Sequence, residues 1–467
     1  MTRLGAVLAV GSLAVTGLVL SQDAPAEAVF ATNDNAPFGN LIDWFDWGGG
    51  GAIPMGQYTN TRVVGASEIV TVCTLSNATS ALKSYKPGGF QGDGLDNLYN
   101  VGGTDGANTM NIGITNVEKR VDVNFDVSCT MKVGTVGGSD HVTVDIPGLV
   151  VADAESSVVD RGEFIEARPA SPSTTTWRLI GRYLGEGCDS SLEANLGADG
   201  ALNFKPVPDQ CTSGSPTAVL FMDGSAGAHI RMFGASTTAV AIGVVSYVDY
   251  ADGPASYGAA GVLDFPSWSG GEVQPGVSDL MSSDLKLATI GQPQTRLGHL
   301  TDGEPLPPFS ADAKGDDNNA ETNDEDLAVP AAITGYRGGV VIIKDLVCAG
   351  PGRVFAWIDF NGDSVFDPVT ERGGPVPTTA GGLVTPAAIP CGAQAGEEKT
   401  FSVAWNVPAD ARPTAPGEKT LVRIGITTDQ RPAEQPMLLA IGGELEDHAV
   451  DFELDPYIVT KASNGSA

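Results

Sequence analysis

Residues 357–367 read Trp-Ile-Asp-Phe-Asn-Gly-Asp-Ser-Val-Phe-Asp, an apolar strand that runs directly into a loop with an oxygen ligand at almost every second position. A second acidic run, Gly-Glu-Leu-Glu-Asp-His, occupies residues 443–448 and lies next to another β segment. Carboxylates this close repel each other unless water or a cation screens them, and closely spaced oxygen atoms suit calcium. The two runs therefore predict a β module stiffened by calcium.

The loop at residues 359–367 has the oxygen spacing of an EF-hand calcium loop. Its positions 1, 3, 5, 7 and 9 are Asp359, Asn361, Asp363, the Val365 carbonyl and Asp367. The comparison fails at positions 6 and 12, where Ser364 and Thr370 replace the Gly and the Glu, and strands replace the flanking helices. A distant carboxylate has to complete the shell, and the candidates are Glu444, Glu446 and Asp447. The alternative is a polar β-turn held by Asx hydrogen bonds.

Composition and charge favour an all-β extracellular protein with more than one domain. The 467 residues include 60 Gly and 30 Pro, and only 18% are charged, which favours short strands joined by many turns. A chain of this length exceeds what one core fills. The formal net charge is −31, so nucleic acid and anionic membranes are poor partners, because binding phosphate requires clustered cations.

Residues 1–28 have the organisation of a secretory signal peptide. Arg3 precedes an apolar run at residues 4–20, and Ala26-Glu27-Ala28 has the small-x-small form of a cleavage site. The alternative is a single membrane anchor. Since no second long apolar run follows, we expect a secreted or cell-surface protein with no membrane contact after signal cleavage.

Six cysteines are present and none forms a CxxC pair, which argues against a zinc site. In an exported chain an even number of cysteines suggests disulfides. Pairing between sequence neighbours keeps each bridge inside one domain and predicts Cys73–Cys129, Cys188–Cys211 and Cys348–Cys391. The alternative is that these residues are buried free thiols.

The N-terminal half contains many short segments with strand patterns. In residues 121–133 apolar residues occupy every odd position, which predicts a half-buried strand with Cys129 on the buried face. Further strands are predicted at residues 68–75, 141–146, 175–183, 217–222, 228–233 and 237–248. So many short strands separated by turns indicate a β-sandwich or jelly roll.

The aromatic stretch Leu-Ile-Asp-Trp-Phe-Asp-Trp at residues 41–47 precedes four glycines. We interpret it as an edge strand with both tryptophans in the core. The alternative is a ligand-binding platform formed by Trp44 and Trp47. Residues 85–116 are rich in Gly, Asn and Asp without a period, which predicts a long surface loop that contributes to ligand contact.

Residues 29–248 resemble the lectin-like, non-repetitive domain of the CshA-type fibrillar adhesins. The resemblance depends on Asn-Leu-Ile-Asp-Trp-Phe-Asp-Trp at residues 40–47 and on the order of the strands. The resemblance implies a β jelly roll that binds a host extracellular-matrix glycoprotein, such as fibronectin, or a glycan.

Residues 249–327 form an acidic connector rich in Pro and Gly. By composition this is a solvated linker. Its pieces, from Asp-Tyr-Ala-Asp-Gly-Pro at 249–254 to Asp-Glu-Asp at 324–326, nevertheless resemble the segment that precedes GEVED domains in bacterial surface proteins. The family pattern departs at Ala251, Gly253 and Leu327. The resemblance implies an ordered segment that ligates calcium.

Residues 328–454 resemble the GEVED domain itself. The acidic run at 443–448 stands where that family has its name-giving motif, and the run at 357–363 fits the same pattern. Strands are predicted at residues 339–347, 353–360, 399–407, 419–427 and 448–454, which gives a second, smaller β-sandwich. Residues 455–467 are interpreted as a tail that begins a further repeat, so the chain is either released or the N-terminal part of a longer protein.

An enzyme is the competing class of protein. Only four histidines are present, and the HExxH, G-x-S-x-G and phosphate-loop motifs are absent. A site assembled from distant residues leaves no such spacing. We expect no catalysis, and the alternative is a secreted carbohydrate-binding protein or a glycosidase that uses a pair of carboxylates. The first hypothesis is a bacterial adhesin.

Overall fold

The computed structural model describes residues 26–27, 30, 37–87, 93–99, 110–155, 162–184, 192–207, 216–234, 237–315, 326–431, 435–436 and 438–455. In these ranges the regular structure is almost entirely β. The described helical elements are the α-helix Gly94–Tyr99 and the 3₁₀ turn Ala255–Tyr257. The all-β prediction is confirmed. The predicted Cys188–Cys211 bridge, residues 1–25 of the signal, residues 316–325 of the connector and the tail from 456 lie outside the described residues.

A ten-stranded sheet forms one layer of the N-terminal domain. Its spatial order is Ala26–Glu27, Gly56–Val64, Ser67–Ser76, Asp122–Thr135, Gly227–Phe233, Phe164–Pro169, Leu202–Pro206, Leu192–Leu196 and Gly276–Asp279, and Val142–Val144 pairs with Asp122–Thr135. The first of these strands pairs in parallel with residues 60–61, and the other pairings in the sheet are antiparallel.

An eight-stranded sheet forms the facing layer. Its order is Thr176–Tyr183, Thr217–Asp223, Gly148–Asp153, Ala239–Val245, Gly113–Asn116, Leu82–Tyr85 and Ala52–Ile53, and Ile42–Trp44 pairs with Ala239–Val245. Together the two sheets form the predicted large β-sandwich, whose main core contains Ile69, Phe125 and Met131 of one sheet and Leu149 and Leu220 of the other.

The burial of the two sheets explains their different sequence patterns. Ser67–Ser76 alternates between buried and half-buried positions, because one face of the ten-stranded sheet is solvated. Ala239–Val245 is buried at every position, as is Gly148–Asp153. The second face of the eight-stranded sheet is covered by the helix Gly94–Tyr99 and by Trp268 of the connector. Continuous apolar strands therefore belong to the inner sheet.

The connector is ordered over its described residues and contributes strands to both domains. Gly276–Asp279 pairs with Leu192–Leu196 at the edge of the ten-stranded sheet. Gly261–Asp264 joins the strand Tyr247–Tyr250 to Leu439–Ile441 from the C-terminal domain. The short strands Trp268–Ser269 and Thr289–Ile290 pair with each other, and Trp268 and Ile290 pack on the eight-stranded sheet. The solvated-linker interpretation is therefore wrong for the described part of the connector.

The C-terminal domain is a smaller sandwich, as predicted. Its three-stranded sheet is Arg296–Leu297, Val340–Ala349 and Glu398–Asn406, and its five-stranded sheet is Ala332–Gly335, Gly443–Leu454, Thr420–Thr427, Arg353–Ile358 and Ile389–Pro390. The strand Arg296–Leu297 comes from the connector. Val403, Trp405 and Ile424 are completely buried between the sheets.

Two of the predicted disulfides lie among the described residues, and both are formed. Cys73 and Cys129 face each other on adjacent strands of the ten-stranded sheet. Cys348 is bonded to Cys391, which joins the three-stranded sheet to the segment that follows Ile389–Pro390. The described residues contain no free cysteine, so the alternative of buried free thiols is wrong for these four.

Candidate functional site

Asp359 is the buried centre of the loop at residues 357–367. It is 1% exposed, and its Oδ1 accepts a hydrogen bond from the Gly362 amide at 2.6 Å. Its Oδ2 accepts from the Ser364 amide at 2.9 Å and from the Tyr257 hydroxyl at 2.7 Å. Burial raises the pKa of Tyr257, and the bond to Asp359 adds to this increase. The loop is thus folded around one carboxylate and is tied to the connector.

The other predicted ligands of the loop are engaged in short-range hydrogen bonds. Asp363 is exposed and accepts from the Val365 amide at 2.9 Å, and its own amide donates to Asn361 Oδ1 at the same distance. Asp367 Oδ1 accepts from the amides of Val369 and Thr370 at 2.8 and 2.7 Å, and these bonds hold its pKa below the ordinary value. These are the Asx hydrogen bonds of the alternative interpretation.

The Glu371 carboxylate lies over this loop, and the comparison with an EF-hand loop did not identify it as a ligand. Its Oε1 accepts from the Phe360 amide and its Oε2 from the Asp367 amide, both at 2.8 Å. Burial raises the pKa of Glu371 to about 7, and the charges of Asp359 and Asp363 add to this increase. Its place one residue after EF-hand position 12 was the available signal.

Glu444 and Asp447 do not join this loop, so the predicted seven-residue metal site is wrong as a single site. The Asp359 amide bonds to the carbonyl of Leu421, whereas Glu444 is opposite Ile426, five residues further along the same strand. Five residues of strand span roughly 16 Å. Asp447 faces Arg423 instead. In the part of the chain that the structure describes, no three His, Cys, Asp or Glu side chains form a cluster suited to a metal ion.

Three carboxylates of the strand Gly443–Leu454 accept hydrogen bonds from backbone amides of the connector, and we call them the acidic clasp. They are Glu444, Glu446 and Asp447. Glu444 is completely buried, and its Oε2 accepts from the Leu297 amide. Glu446 is equally buried and accepts from the Leu327 amide at 3.2 Å and from His448 Nε2 at 2.8 Å. Burial raises the pKa of Glu446, although the bond to His448 opposes this increase.

Asp447, the third member of the clasp, forms a buried ion pair on the opposite face of the strand. Its two oxygens accept from Arg423 Nε and Nη2 at 2.8 and 2.7 Å, and both side chains are at most 1% exposed. Asp447 Oδ2 also accepts from the Gly253 amide at 3.1 Å. The clasp therefore fixes the connector at three points, near residues 253, 297 and 327.

Further contacts bind the connector to the N-terminal domain. Arg62 is buried, and its guanidinium donates to the Tyr250 hydroxyl at 2.6 Å and to the carbonyls of Glu304 and Pro305 at 3.0 and 2.8 Å. The Leu439 amide of the C-terminal domain donates to Ser67 Oγ at 3.1 Å. The two domains are thus in direct contact and share the connector.

Trp44 and Trp47 both lie in the core, as interpreted from the sequence, so the alternative of a contact surface formed by them is wrong. Trp44 is completely buried and packs edge-on against Tyr99 at 5.3 Å between ring centroids, and Trp47 is 3% exposed. Trp44 is enclosed because the helix Gly94–Tyr99 covers the eight-stranded sheet, whereas Trp47 packs against Phe45 and Tyr58 in the main core. The described part of residues 85–116 also differs from a surface loop, since this helix has buried residues and Gly113–Asn116 is buried throughout.

A polar groove of about 620 Å³ lies on the solvated face of the ten-stranded sheet. It is lined by Asp126, Val127, Ser128, Arg168, Pro169, Ala170, Pro172, Asp199, Ala228 and His229. Asp126, His229 and Arg168 are directly opposite one another on three adjacent strands. The alternation in residues 121–133 identified Asp126 as outward-facing, but the partners come from strands whose register the sequence does not reveal.

The groove contains hydrogen-bond donors and acceptors. His229 Nδ1 is 2.7 Å from Asp126 Oδ1, and Asn77 Nδ2 donates to Asp126 Oδ2 at 2.6 Å. Partial burial raises the pKa of Asp126, but these two bonds outweigh it, so the pKa lies below the ordinary value. Arg168 Nη1 is 4.0 Å from Asp199 Oδ2, and the Arg168 side chain is 49% exposed.

No helix among the described residues is both long and apolar enough to cross a membrane. The predicted signal peptide is described only at Ala26–Glu27 and therefore remains a prediction.

Comparison with protein families separates the chain into the same two modules. Residues 40–245 match the model described as the surface adhesin CshA non-repetitive domain 2. Residues 353–451 match the GEVED domain. No curated protein matches the sequence. Among solved structures, the N-terminal domain of the Streptococcus gordonii adhesin Sgo0707 is similar with 9% identity and a TM-score of 0.26, over 88% of this chain and 83% of that one.

Domains of this kind indicate a non-enzymatic protein that is secreted or on the cell surface. They agree with the two families and the order that the sequence motifs predicted. Residues 40–245 therefore match the non-repetitive domain 2 of the surface adhesin CshA, and residues 353–451, which follow them, match the GEVED domain.

Proposed function

We propose that the protein is a bacterial adhesin whose N-terminal β domain binds a host extracellular-matrix glycoprotein, such as fibronectin, or a glycan. The observation that carries this proposal is the match of residues 40–245 to a surface-adhesin domain. The solvated face of the ten-stranded sheet supports it, because this face has a polar groove of about 620 Å³. That volume is within the range of ligand sites.

The C-terminal domain acts as the support that holds the binding domain in a fixed orientation. The acidic clasp, Arg62 and the strand Leu439–Ile441 support this role, since all of them join the domains through buried polar contacts or strand pairing. A rigid junction transmits load from an attached ligand to the rest of the chain without first extending a linker.

Binding of the full chain to immobilised fibronectin tests the proposal. We expect saturable binding that exceeds binding to serum albumin, and a decrease after enzymatic deglycosylation if the glycan is the determinant. Binding to fibronectin that does not exceed binding to serum albumin, together with no specific binding to another matrix glycoprotein or to a glycan, would overturn the adhesin proposal. The full chain is required because the connector supplies strands to both domains.

We also propose that calcium binds the loop at residues 359–371. Asp359, Asn361, Asp363, the Val365 carbonyl and Asp367 remain the local ligands, and Glu371 takes the role first given to Glu444 and Asp447. The position of Glu371 supports this, because its two oxygens accept from the Phe360 and Asp367 amides and the carboxylate therefore lies over the loop. Bound calcium would replace some of the present hydrogen bonds with metal–oxygen bonds.

Thermal unfolding of the full chain with calcium and with chelator tests this site. Calcium at 100 times its dissociation constant stabilises a protein by about 2.7 kcal/mol. We expect the midpoint to rise with calcium for the native chain and for Asp451→Asn, an exposed carboxylate outside the loop, but not for Glu371→Gln. Equal unfolding midpoints with calcium and with chelator in the native chain would overturn the calcium proposal.

The alternative of a glycosidase is less well supported than a binding protein. Acid-catalysed cleavage of a glycosidic bond requires a carboxyl group with a raised pKa. The carboxyl groups of the groove include Asp126, whose pKa lies below the ordinary value. Asp126 therefore suits hydrogen bonding to a ligand better than proton donation.

A further inference from the structure

The solvated face of the ten-stranded sheet has an aromatic platform in addition to the polar groove. Phe164 and Phe233 are opposite each other on adjacent strands, with ring centroids 6.3 Å apart and planes 14° from parallel. Both side chains are only half-buried. The Arg231 guanidinium lies 5.0 Å from the Phe164 ring centroid. Two outward-facing aromatic rings on a solvated sheet provide apolar surface for a ligand.

The platform and the groove are on the same strands. Phe233 and His229 belong to one strand, and Phe164 and Arg168 belong to the next, so four residues separate the two features along each strand. Four residues of strand span roughly 13 Å. Arg231, Glu166 and Asn203 lie between them, opposite one another on three adjacent strands. The surface is thus continuous, with polar side chains in the middle and apolar rings at one end.

The hydrogen-bonding groups suit a ligand with hydroxyl groups. A hydroxyl both donates and accepts, so it pairs equally with a guanidinium and with a carboxylate. The groove offers both, since Arg168 is a half-exposed donor while Asp126 and Asp199 are acceptors. Pro169, Ala170 and Pro172 line the same groove and present apolar surface to the carbon–hydrogen face of a ring.

Charge argues against an acidic ligand. The chain has a net charge of −31, and the groove has two Asp against one Arg. An acidic polymer would be repelled by this field, whereas a neutral saccharide would not. A basic peptide would be attracted by the same field, and the titration with oligolysine distinguishes it from a neutral saccharide.

We propose that this face is the binding surface for a neutral oligosaccharide, with one end in the groove at Asp126, His229 and Arg168 and the other end on the Phe164–Phe233 platform. This inference rests on the proposed adhesin function and identifies the ligand class and the site. The separation of the two features requires an oligosaccharide, since a single sugar ring does not reach from the groove to the platform.

Titration of the full chain with a graded series of neutral hexose oligosaccharides tests the proposal, with sialylated oligosaccharides and an oligolysine peptide as competing probes. We expect affinity to increase from the monosaccharide to the longer chains. Arg168→Ala should weaken binding roughly tenfold or more, as expected for the loss of one hydrogen bond to a charged donor. Phe164→Ala should remove most of the advantage of the longer chains.

Lys132→Ala is the matched control. Lys132 is on the same strand as Asp126, six residues further along, and it is exposed and does not line the groove. This variant should bind like the native chain, and thermal melts of all variants establish that they fold. Asp126→Asn serves as a second variant in the groove.

The outcomes separate this inference from the adhesin function. If the native chain binds a neutral oligosaccharide, and Arg168→Ala, Asp126→Asn and Phe164→Ala bind it equally well, the site is overturned. If the native chain binds fibronectin but no neutral oligosaccharide, the ligand class is overturned while the adhesin function stands. Binding only of the sialylated probes or only of the oligolysine peptide overturns the ligand class. If neither fibronectin nor any saccharide binds, both proposals are overturned.

Discussion

Removing the carboxylate of Asp447 should destabilise the protein far more than removing an exposed carboxylate from the same strand. Asp447→Asn leaves the Arg423 guanidinium buried at 1% exposure without its counter-ion. Breaking a buried pair on one side costs about 3–5 kcal/mol of the free energy of unfolding, because the remaining charge stays desolvated. We expect a loss in this range at pH 7.

Asp451→Asn is the matched control for this prediction. Asp451 follows Asp447 on the strand Gly443–Leu454 and pairs with Lys419 at 2.9 Å, but the two side chains are 44% and 42% exposed. Exposed pairs contribute about 0.2–1 kcal/mol. Urea unfolding of both variants, followed by tryptophan fluorescence, should therefore separate them by at least 2 kcal/mol, roughly the difference between the two classes of ion pair.

Two further measurements distinguish a clasp from a simple ion pair. The Gly253 amide loses its acceptor in Asp447→Asn, so hydrogen exchange at residues 250–258 should accelerate in this variant and not in Asp451→Asn. The double variant Arg423→Met with Asp447→Met should recover most of the loss, because replacing both charges leaves none unpaired. Equal unfolding free energies for Asp447→Asn and Asp451→Asn would refute the reasoning, as would unchanged exchange at residues 250–258.

Three other predictions concern the loop, the disulfide and the aromatic stretch. The folded state raises the pKa of Glu371 from 4.5 to about 7 and therefore favours its protonated form. The free energy of unfolding should thus fall as pH rises from about 4.5 to about 7. Thermal melts without calcium should show this fall, and the Glu371→Gln variant should show a smaller one. Replacing Cys73 and Cys129 together by Ala should lower the free energy of unfolding by about 2–4 kcal/mol in denaturant titrations, and an unchanged value would contradict a stabilising bridge. Trp44→Phe should retain fibronectin binding, whereas Trp44→Ala should lower stability by about 3–5 kcal/mol; loss of binding in a stable Trp44→Phe variant would restore the tryptophan to the contact surface.

Local sequence patterns predicted most of the strands of this protein. The alternation in residues 121–133 appears as the strand Asp122–Thr135, and the predicted strands of the smaller sandwich appear within a few residues of their expected bounds. Two disulfides followed from pairing neighbours in the sequence. These features can be predicted from the sequence because the side-chain pattern of a strand repeats every two residues and because cysteines near each other in the sequence close short loops.

The site residues depended on contacts between distant parts of the chain. Glu444 bonds to Leu297, 147 positions earlier, and the Asp447–Gly253 bond spans 194 positions. Trp44 is buried because a helix and the connector cover the second face of its sheet. The groove unites strands whose register is set by the packing of the whole sandwich.

The sequence by itself determined that the chain is β, that it has two modules and that carboxylate side chains organise its loop at residues 359–367. Only the tertiary structure decided which charges meet, which elements cover the tryptophans and which face stays in solvent. The physical reason is that side-chain period is a local property of a strand, whereas burial and ion pairing depend on what the rest of the chain places opposite it.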